Sequence, residues 1–317
     1  MINNRKAAVI GCGFVGSASA FALMQSGLFS EIALLDSNRE KAEGEALDIS
    51  HGVPFARPAK VYAADYDEIM DAAVIVITAG AAQKPGETRL DLVNKNVGIF
   101  RSILPEIASR AYQGILLIVA NPVDILTLAA IKYSGLPENR VFGSGTVLDT
   151  ARLKMELGEH LSVDNRSVHA FIIGEHGDSE IVAWNSANVS GVPLYDFCTL
   201  RGHRNHEQAM KEIAEKVKNS AYEIIEKKKA TYYGIAMSVV RICRAVIMNE
   251  KSVLPVSSMM HGEYGVDGIA LSFPVIVGSA GIETRVPIVL NYEEQLKLRE
   301  SADALRKTAK EAGLLDD

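Results

Sequence analysis

A glycine-rich turn near the start of the chain places the strongest constraint on how it can fold. The apolar residues 7–10 lead directly into Gly11-Cys12-Gly13-Phe14-Val15-Gly16, after which the pattern becomes helical. Between a strand and a helix, three glycines at this spacing predict a tight turn, a backbone open to close approach, and close strand–helix packing. The unpaired N–H groups at the start of the helix then form a site for phosphate groups.

An acidic residue follows at the spacing of a dinucleotide site. Asp36 ends the second apolar run, 20 residues after Gly16. Its carboxylate can accept hydrogen bonds from an adenosine ribose and repels a 2′-phosphate, so the predicted cofactor is NAD rather than NADP. A simple glycine turn and a helix-capping aspartate are the alternative interpretation.

Short apolar runs alternate with helical stretches through the first half of the chain. The predicted strands cover residues 7–10, 32–35, 61–63, 74–77, 115–119 and 141–142. This alternation indicates an α/β fold with a doubly wound parallel sheet, the Rossmann architecture. Beyond Gly145 we predict strands at 168–173 and 269–277 and an amphipathic helix from Asn291. We therefore expect an NAD-binding domain over 1–145 and an α+β substrate domain over 146–317.

Composition limits the partners and the compartment. With 48% hydrophobic residues and a net charge of -6, the chain is typical of a globular protein without a basic surface for nucleic acid. No apolar run reaches membrane-spanning length, and the first residues leave no room for a signal peptide, so we expect a cytoplasmic protein without membrane contact. Cys12, Cys198 and Cys243 are widely separated and lack metal-ligand spacing, which argues against disulfides and a metal site.

Candidate catalytic residues occur in two short motifs. His176, within Gly174-Glu175-His176-Gly177-Asp178, follows an apolar run, and its imidazole titrates where proton transfer to an alkoxide requires. Asp149 and Arg152 share one face of a predicted helix. The carboxylate can fix the tautomer of an imidazole, while the guanidinium can hold a substrate carboxylate through two hydrogen bonds. The simpler alternatives are a structural histidine and a surface ion pair.

A third motif follows the fourth predicted strand. Residues 80–89 are rich in glycine, proline and polar side chains and end in Arg89. They begin at the edge where ligands bind in open α/β sheets. We predict a lid that closes over a substrate and brings Arg89 against a carbonyl on which negative charge develops. An ordinary charged loop is the alternative.

Together these motifs resemble those of the lactate and malate dehydrogenase family, most closely its L-lactate dehydrogenases, along essentially the whole chain. The most specific stretches are residues 11–16, 83–90, 121–124, 148–152, 174–178 and 230–236. The resemblance implies that His176 is the acid/base, Asp149 its partner, Arg152 the carboxylate clamp and Arg89 the residue that polarises the carbonyl.

The same resemblance implies further contacts and an assembly. Asn121 would contact substrate and cofactor, Thr231 would line the substrate pocket, and Ile235 would pack on the nicotinamide. The remaining implied cofactor-binding residues are Gly11, Gly13, Phe14, Val15, Gly16 and Asp36. The family likeness also implies a homotetramer.

Substrate choice within the family depends on the side chain at Gln83. Malate-specific relatives carry arginine at this position, and neutral Gln83 would leave the second carboxylate of oxaloacetate buried without a cation, at a cost of several kcal/mol. Pyruvate and L-lactate are therefore the expected substrates. A malate dehydrogenase is the nearest alternative, although Thr231 stands where malate enzymes usually carry a smaller residue. The second alternative is a catalytically silent NAD-binding protein. Such a protein should have lost some of the candidate catalytic residues, but all four are present: Arg89, Asp149, Arg152 and His176.

Two residues are possible effector contacts. Relatives activated by fructose 1,6-bisphosphate carry arginine and histidine at the positions of Lys154 and Phe171. Lys154 keeps the charge, but Phe171 cannot donate a hydrogen bond. His169 lies two residues earlier and, on a continuous strand, would point to the same face as Phe171. We expect no activation by the bisphosphate, with Lys154 and His169 as the residues through which a displaced contact is conceivable.

Overall fold

The computed structural model describes residues 1–82, 86–203 and 205–316. The strands are β1 (Asn3–Ile10), β2 (Glu31–Leu35), β3 (Lys60–Ala63), β4 (Ala72–Ile77), β5 (Ile115–Ile118), β6 (Val141–Gly143), β7 (Val168–His169), β8 (Ile172–Ile173), β9 (Ile181–Val182), β10 (Asn188–Val189), β11 (Val192–Pro193), β12 (Ser252–His261), β13 (Asp267–Gly278) and β14 (Gly281–Arg285).

The helices connect these strands and cover both faces of the main sheet. They are α1 (Phe14–Ser26), α2 (Arg39–His51), α3 (Tyr66–Ile69), α4 (Arg89–Ser109), α5 (Val123–Ser134), α6 (Val147–Leu161), α7 (Leu194–Leu200), α8 (His206–Lys228), α9 (Tyr233–Ile247) and α10 (Tyr292–Glu311). In the part of the chain that the structure describes, none of them is long and apolar enough to cross a membrane.

A nine-stranded sheet forms the centre of the molecule, in the order β14-β13-β12-β6-β5-β4-β1-β2-β3. Strands β1 to β6 pair in parallel, and their order confirms the predicted doubly wound Rossmann fold. Successive residues of β1 point to opposite faces: Ala8 and Ile10 enter one hydrophobic core, and Ala7 and Val9 enter the other. Burial of both faces explains why these strands are continuous apolar runs in the sequence.

The same sheet continues into the second half of the chain. Strand β12 pairs antiparallel with β6 through Ser257 and Gly143, and β13 and β14 extend the sheet beyond it. Gly143 allows this close approach, because a Cβ atom there would lie 2.4 Å from Thr127 Oγ1. A third hydrophobic core lies outside the sheet, where α6, α7 and α8 pack around β7 and β10. The predicted boundary near residue 145 therefore falls within a chain segment that joins parts of one continuous sheet.

The predicted single strand at 168–173 is wrong. The segment forms two short strands, with β7 pairing with β10 and β8 pairing with β9 in a different sheet. The strand is interrupted because the backbone of Ile172 forms hydrogen bonds with side chains of the α6 region. Its N–H donates to Thr150 Oγ1 at 2.9 Å, and its carbonyl accepts from Thr146 Oγ1 at 2.5 Å. His169 and Phe171 therefore do not share one strand, and the argument that they point to the same face fails.

Helix α10 begins as the sequence predicts and reaches back to the centre of the molecule. Asn291 caps it, accepting from the N–H of Glu294 at 2.9 Å, while the Glu294 carboxylate accepts from the N–H of Asn291. Its apolar face buries Leu298, Ala302 and Leu305 against α5 and β13. The helix thereby places Ser301 beside the loop that follows β8.

Candidate active site and cofactor cleft

The glycine turn has the features that a dinucleotide site requires. Gly11 has a φ of 98°, and a Cβ there would lie 2.6 Å from the backbone nitrogen of Ala79. A Cβ on Gly16 would lie 1.8 Å from the Gly11 carbonyl oxygen, whereas one on Gly13 would meet no described atom within 4 Å. Gly13 supplies no side-chain cap to α1, so the helix N-terminus is left for an anionic ligand.

Asp36 joins the glycine turn to the end of β2. Its carboxylate accepts from the backbone N–H of Cys12 at 2.6 Å and from that of Asn38 at 2.9 Å. It also lines a cleft of about 800 Å³, together with Gly11 and Gly13. The size of the cleft, the open backbone at Gly13 and the uncapped helix fit a bound dinucleotide.

Three further predicted cofactor residues, Phe14, Val15 and Ile235, lie on α1 and α9, which pack together. Phe14 is 71% exposed, and its ring stacks on Tyr232 with a centroid distance of 5.6 Å. Val15 and Ile235 are partly buried against the same hydrophobic core. Thr231, just before α9, is partly buried. Among the described residues, it does not line the cavity that contains His176.

The predicted acid–base residues meet between α6 and the loop after β8. His176 Nδ1 lies 2.6 Å from Asp149 Oδ2, and Arg152 Nη1 donates to Asp149 Oδ1 at 2.8 Å. The Asp149 side chain is only 4% exposed, so both of its oxygens are engaged away from solvent. The i,i+3 spacing thus places both α6 residues on the face that meets His176.

This arrangement controls the charge of the imidazole. Burial disfavours a charged His176, but the charge and hydrogen bond of Asp149, with smaller contributions from Asp124 and Glu180, raise its pKa to about 9. Burial likewise disfavours an ionised Asp149. The charges and hydrogen bonds of His176 and Arg152 outweigh this effect, so the pKa of Asp149 is lowered. At neutral pH the pair is therefore an imidazolium and a carboxylate.

Arg89 is not on a loop, as the sequence suggested, but is the first residue of α4. Thr88 caps this helix, accepting from the N–H of Asp91 at 3.1 Å. The Arg89 guanidinium donates a hydrogen bond to Glu175 and lies 3.7 Å from Asp178. These two acidic residues lie before and after His176 in the sequence. Its side chain is 56% exposed. Gln83 and its two following neighbours lie outside the described residues.

One cavity of about 340 Å³ brings most of the predicted catalytic residues together. Its lining includes Arg89, Asn121, Asp149, Arg152 and His176. These residues come from four separate segments of the chain. They surround one space with two guanidinium groups, a cationic imidazole and an amide, which suits a small anion that carries a carbonyl group.

Asp124 is a site residue that the sequence interpretation missed. It is 2% exposed, and its carboxylate accepts from the backbone N–H of His176 at 2.7 Å and from Ser257 Oγ at 2.5 Å. Burial raises its pKa to about 6. An acid next to Asn121-Pro122 was visible in the sequence, but nothing there indicated that it supports the histidine loop.

The loop around His176 has a second support from α10. The backbone N–H of Glu175 donates to Ser301 Oγ at 2.9 Å, and Ser179 Oγ donates to the Glu175 carboxylate at 2.6 Å. Glu175 and Ser301 are 126 positions apart, so no local sequence pattern indicates their contact.

The two possible effector residues lie apart from the catalytic cavity lining. Lys154 on α6 is partly buried, and burial together with the charge of Arg241 lowers its pKa. His169 is exposed on β7, opposite Asn188.

Comparisons with known proteins agree with this geometry. Residues 5–143 match the family model for the lactate/malate dehydrogenase NAD binding domain, and residues 146–313 match that for the lactate/malate dehydrogenase alpha/beta C-terminal domain. The chain is 50% identical to an L-lactate dehydrogenase of Acetivibrio thermocellus over 98% of this chain and 99% of the relative. It is also 50% identical to that of Thermoanaerobacterium saccharolyticum, over 96% and 98%.

Solved structures show the same likeness in three dimensions. A lactate dehydrogenase from a Medee basin deep-sea metagenome library superposes with a TM-score of 0.95 at 43% identity, covering 99% of this chain and 100% of the other. The minor L-lactate dehydrogenase of Enterococcus mundtii, in its ligand-bound form, superposes with a TM-score of 0.94 at 44% identity, covering 96% and 98%.

Proposed function

This chain belongs to the lactate/malate dehydrogenase family, and we propose that it catalyses the reversible, NAD-dependent reduction of pyruvate to L-lactate. The observation that carries the proposal is the hydrogen-bonded set of His176, Asp149 and Arg152 in one cavity with Arg89 and Asn121. The relatives named L-lactate dehydrogenase, matched over nearly their whole length, support the same substrate for this chain.

His176 is the proposed proton donor. Its pKa of about 9 keeps it protonated at neutral pH, and Asp149 occupies Nδ1. The proton that passes to the substrate oxygen therefore comes from Nε2. In the reverse direction the same nitrogen accepts the hydroxyl proton of L-lactate, and the buried Asp149 carboxylate stabilises the imidazolium that forms.

Arg152 is the proposed clamp for the substrate carboxylate. Its Nη1 is fixed by Asp149, and its side chain is 12% exposed at the cavity wall. Anchoring one nitrogen orients the planar guanidinium, so its remaining donors are positioned before the substrate arrives. This orients the carbonyl carbon of the substrate relative to His176.

Arg89 and Asn121 are the proposed groups on the carbonyl side. Arg89 bonds to Glu175, and its exposed side chain can exchange this partner for the substrate oxygen. A guanidinium at that point stabilises the negative charge that develops as the carbonyl is reduced. Asn121 lines the same cavity and is the proposed neutral contact to substrate and cofactor.

The proposed cofactor-binding residues are Gly11, Gly13, Phe14, Val15, Gly16, Asp36, Asn121 and Ile235. Bound NADH would supply the hydride to the carbonyl carbon. The glycine turn and the start of α1 would hold its pyrophosphate, Asp36 the adenosine ribose, and Ile235 an apolar face of the nicotinamide.

Gln83 and Thr231 are the proposed determinants of substrate choice. A neutral Gln83 favours the methyl group of pyruvate over the second carboxylate of oxaloacetate. Replacing Gln83 with arginine is expected to shift the kcat/KM ratio toward oxaloacetate by orders of magnitude, because it adds a charge-assisted pair.

The direct test follows NADH absorbance with pyruvate, with oxaloacetate and with no oxo acid. Consumption with pyruvate far above that with oxaloacetate supports the proposal, and no consumption with pyruvate would overturn it. The same assay with Gln83→Arg tests the substrate determinant separately, since unchanged preference there contradicts the role of Gln83 alone.

We propose, as finer points, a cytoplasmic homotetramer with an NAD-binding domain over 1–145 and a substrate domain over 146–317. The family likeness supports the assembly, and the meeting of the two family models near residue 145 supports the division. We also propose that fructose 1,6-bisphosphate does not activate the enzyme, because Phe171 cannot donate a hydrogen bond and lies beyond the end of β7, the strand that carries His169. Light scattering and pyruvate kinetics with the bisphosphate test these points; a clear fall in the pyruvate KM would contradict the last.

A further inference from the structure

The carboxyl group of Glu180 faces the catalytic cavity and has no assigned role in the proposed reaction. Glu180 lies just before β9, where its backbone N–H donates to the Gly177 carbonyl at 3.2 Å. Glu180 lines the catalytic cavity and also a neighbouring cavity of about 310 Å³. Glu180 therefore forms part of the wall between the substrate space and an outer cavity.

Burial and Asp149 oppose a negative charge on Glu180, and a bound substrate carboxylate would strengthen that opposition. On the catalytic side the charge of Asp149 disfavours an ionised Glu180, whereas the charges of His176, Arg152 and Lys218 favour it. Arg89 and Asp178 also line this cavity, and Lys218 of α8 lines both cavities. The charged residues that line only the outer cavity are Glu215 of α8 and Glu293, Glu294 and Lys297 of α10. A substrate carboxylate on Arg152 would neutralise one of these cations and add a negative charge to a cavity whose lining already includes the carboxyl groups of Asp149, Asp178 and Glu180.

We propose that Glu180 is a substrate-binding determinant of this enzyme, and that its side chain must carry a proton for the carboxylate of the 2-oxo acid to bind. The inference rests on the proposed function, since it assumes a substrate carboxylate at Arg152. It assigns to Glu180 the selection of substrates with a single negative charge, in addition to the selection proposed for Gln83.

The ordinary state of Glu180 agrees with this role. Burial, with a further contribution from the charge of Asp149, raises its pKa to about 8. Glu180 is therefore mostly neutral at pH 7 and mostly ionised by about pH 9, within the same range in which His176 loses its proton.

The test is the pH dependence of kcat/KM for pyruvate at saturating NADH, from about pH 6.5 to 10. This quantity reports the ionisations of the enzyme form that meets the substrate. If both Glu180 and His176 must be protonated, log kcat/KM of the wild type falls with a limiting slope of about two above both pKa values. The expected loss between pH 7 and 10 is about a thousandfold.

Glu180→Gln is expected to reduce the limiting slope to about one, because only His176 then titrates. Glu215→Gln, which removes a carboxylate that lines only the outer cavity, is the matched control and should keep the slope of the wild type. A slope of one in the wild type, or an equal slope in wild type and Glu180→Gln, would overturn the inference. Absence of pyruvate turnover at pH 7 would instead overturn the proposed function, so the two failures are distinguishable.

Discussion

The cofactor cleft takes its shape from one short stretch of backbone, whereas the catalytic cavity is assembled from side chains on distant segments. In the cleft, Gly11 and Gly16 are fixed by contacts within the turn and with the end of β4. In the cavity, Arg89, Asp149 and His176 come from α4, α6 and the loop after β8. The first region depends on the absence of side chains, and the second on their exact placement.

The largest expected effect is a loss of turnover without a loss of NADH binding, caused by a substitution in the catalytic cavity. His176→Gln removes the proposed proton donor, and we expect kcat for pyruvate reduction to fall by about 10²–10⁴-fold. The affinity for NADH, measured by fluorescence titration, should change by less than about twofold, because His176 does not line the cofactor cleft. The exposed His261, paired with Glu138 at 2.6 Å, provides the control: His261→Gln should retain activity. Equal loss of NADH binding and turnover would show that the regions are not separable.

Asp124 tests whether the catalytic cavity depends on buried support. Its folded-state pKa of about 6 lies above the ordinary value of 3.8, so the folded state binds the proton more tightly than the unfolded state. This stabilisation is complete below about pH 4 and is lost as the pH rises through about 6, a change of about 3 kcal/mol.

Asp124→Asn should remove this dependence and lower kcat by about tenfold, because an amide cannot accept from both His176 and Ser257 in the same way. Thermal melts of wild type and variant between about pH 4 and 7 measure the first effect, and pyruvate turnover the second. Asp48→Asn, on the exposed face of α2, is the matched carboxylate control. Parallel melting profiles for wild type and Asp124→Asn would contradict the assignment.

Glycine substitutions test the cleft in the same manner. Gly16→Ala forces a Cβ against the Gly11 carbonyl, and we expect it to reduce stability by about 1–3 kcal/mol and NADH affinity by at least about tenfold. Gly13→Ala meets no described atom, so it should weaken NADH binding while the melting temperature stays near that of the wild type. Gly44→Ala, in the open interior of α2, should be neutral or stabilising. Equal melting temperatures for Gly13→Ala and Gly16→Ala would contradict the difference in packing around the two glycines.

The smallest expected effect concerns the support from α10. Ser301→Ala removes the acceptor for the Glu175 N–H and a contact of Ser179. We expect a loss of about 1–3 kcal/mol in stability, because a buried donor is left unpaired, and a reduction in kcat of only a fewfold. Thr308→Ala, which loses an exposed hydroxyl on the same helix, is the control. A kcat effect as large as that of His176→Gln would mean that α10 positions the reacting groups directly.

Most of the fold could be predicted because local signals and the global fold agree. The six parallel strands are apolar runs bounded by turn residues. Asn291, followed three residues later by Glu294, marks the start of α10 as a capping pair. Strand β12 was missed, and it carries Pro255 opposite Pro274 of β13. A proline inside a run argues against a strand, and only tertiary pairing overrides this preference. The split at Ile172 was missed for a similar reason, since Thr146 and Thr150 bond to it from a separate helix.

The candidate site shows the same division. The spacing of Asp149 and Arg152 was sufficient to place them on one helical face, and the glycine turn was readable from six residues. Asp124, Glu180 and Ser301 were not predicted as site residues, because their roles depend on contacts between segments that only the folded chain brings together. The position of Arg89 at a helix start, rather than on a loop, depends on the Thr88 cap.

The pairing of Ser257 with Gly143 has a consequence for recombination between relatives. Because one sheet passes through the junction, the two halves of the chain form a shared structural unit rather than independent modules. A chimera that exchanged the first half would place a foreign β6 beside β12, and it would fold only if that strand kept a residue as small as Gly143 against Ser257. Evolution of new specificities in such a chain is therefore expected to proceed by point changes in the cavity rather than by exchange of halves.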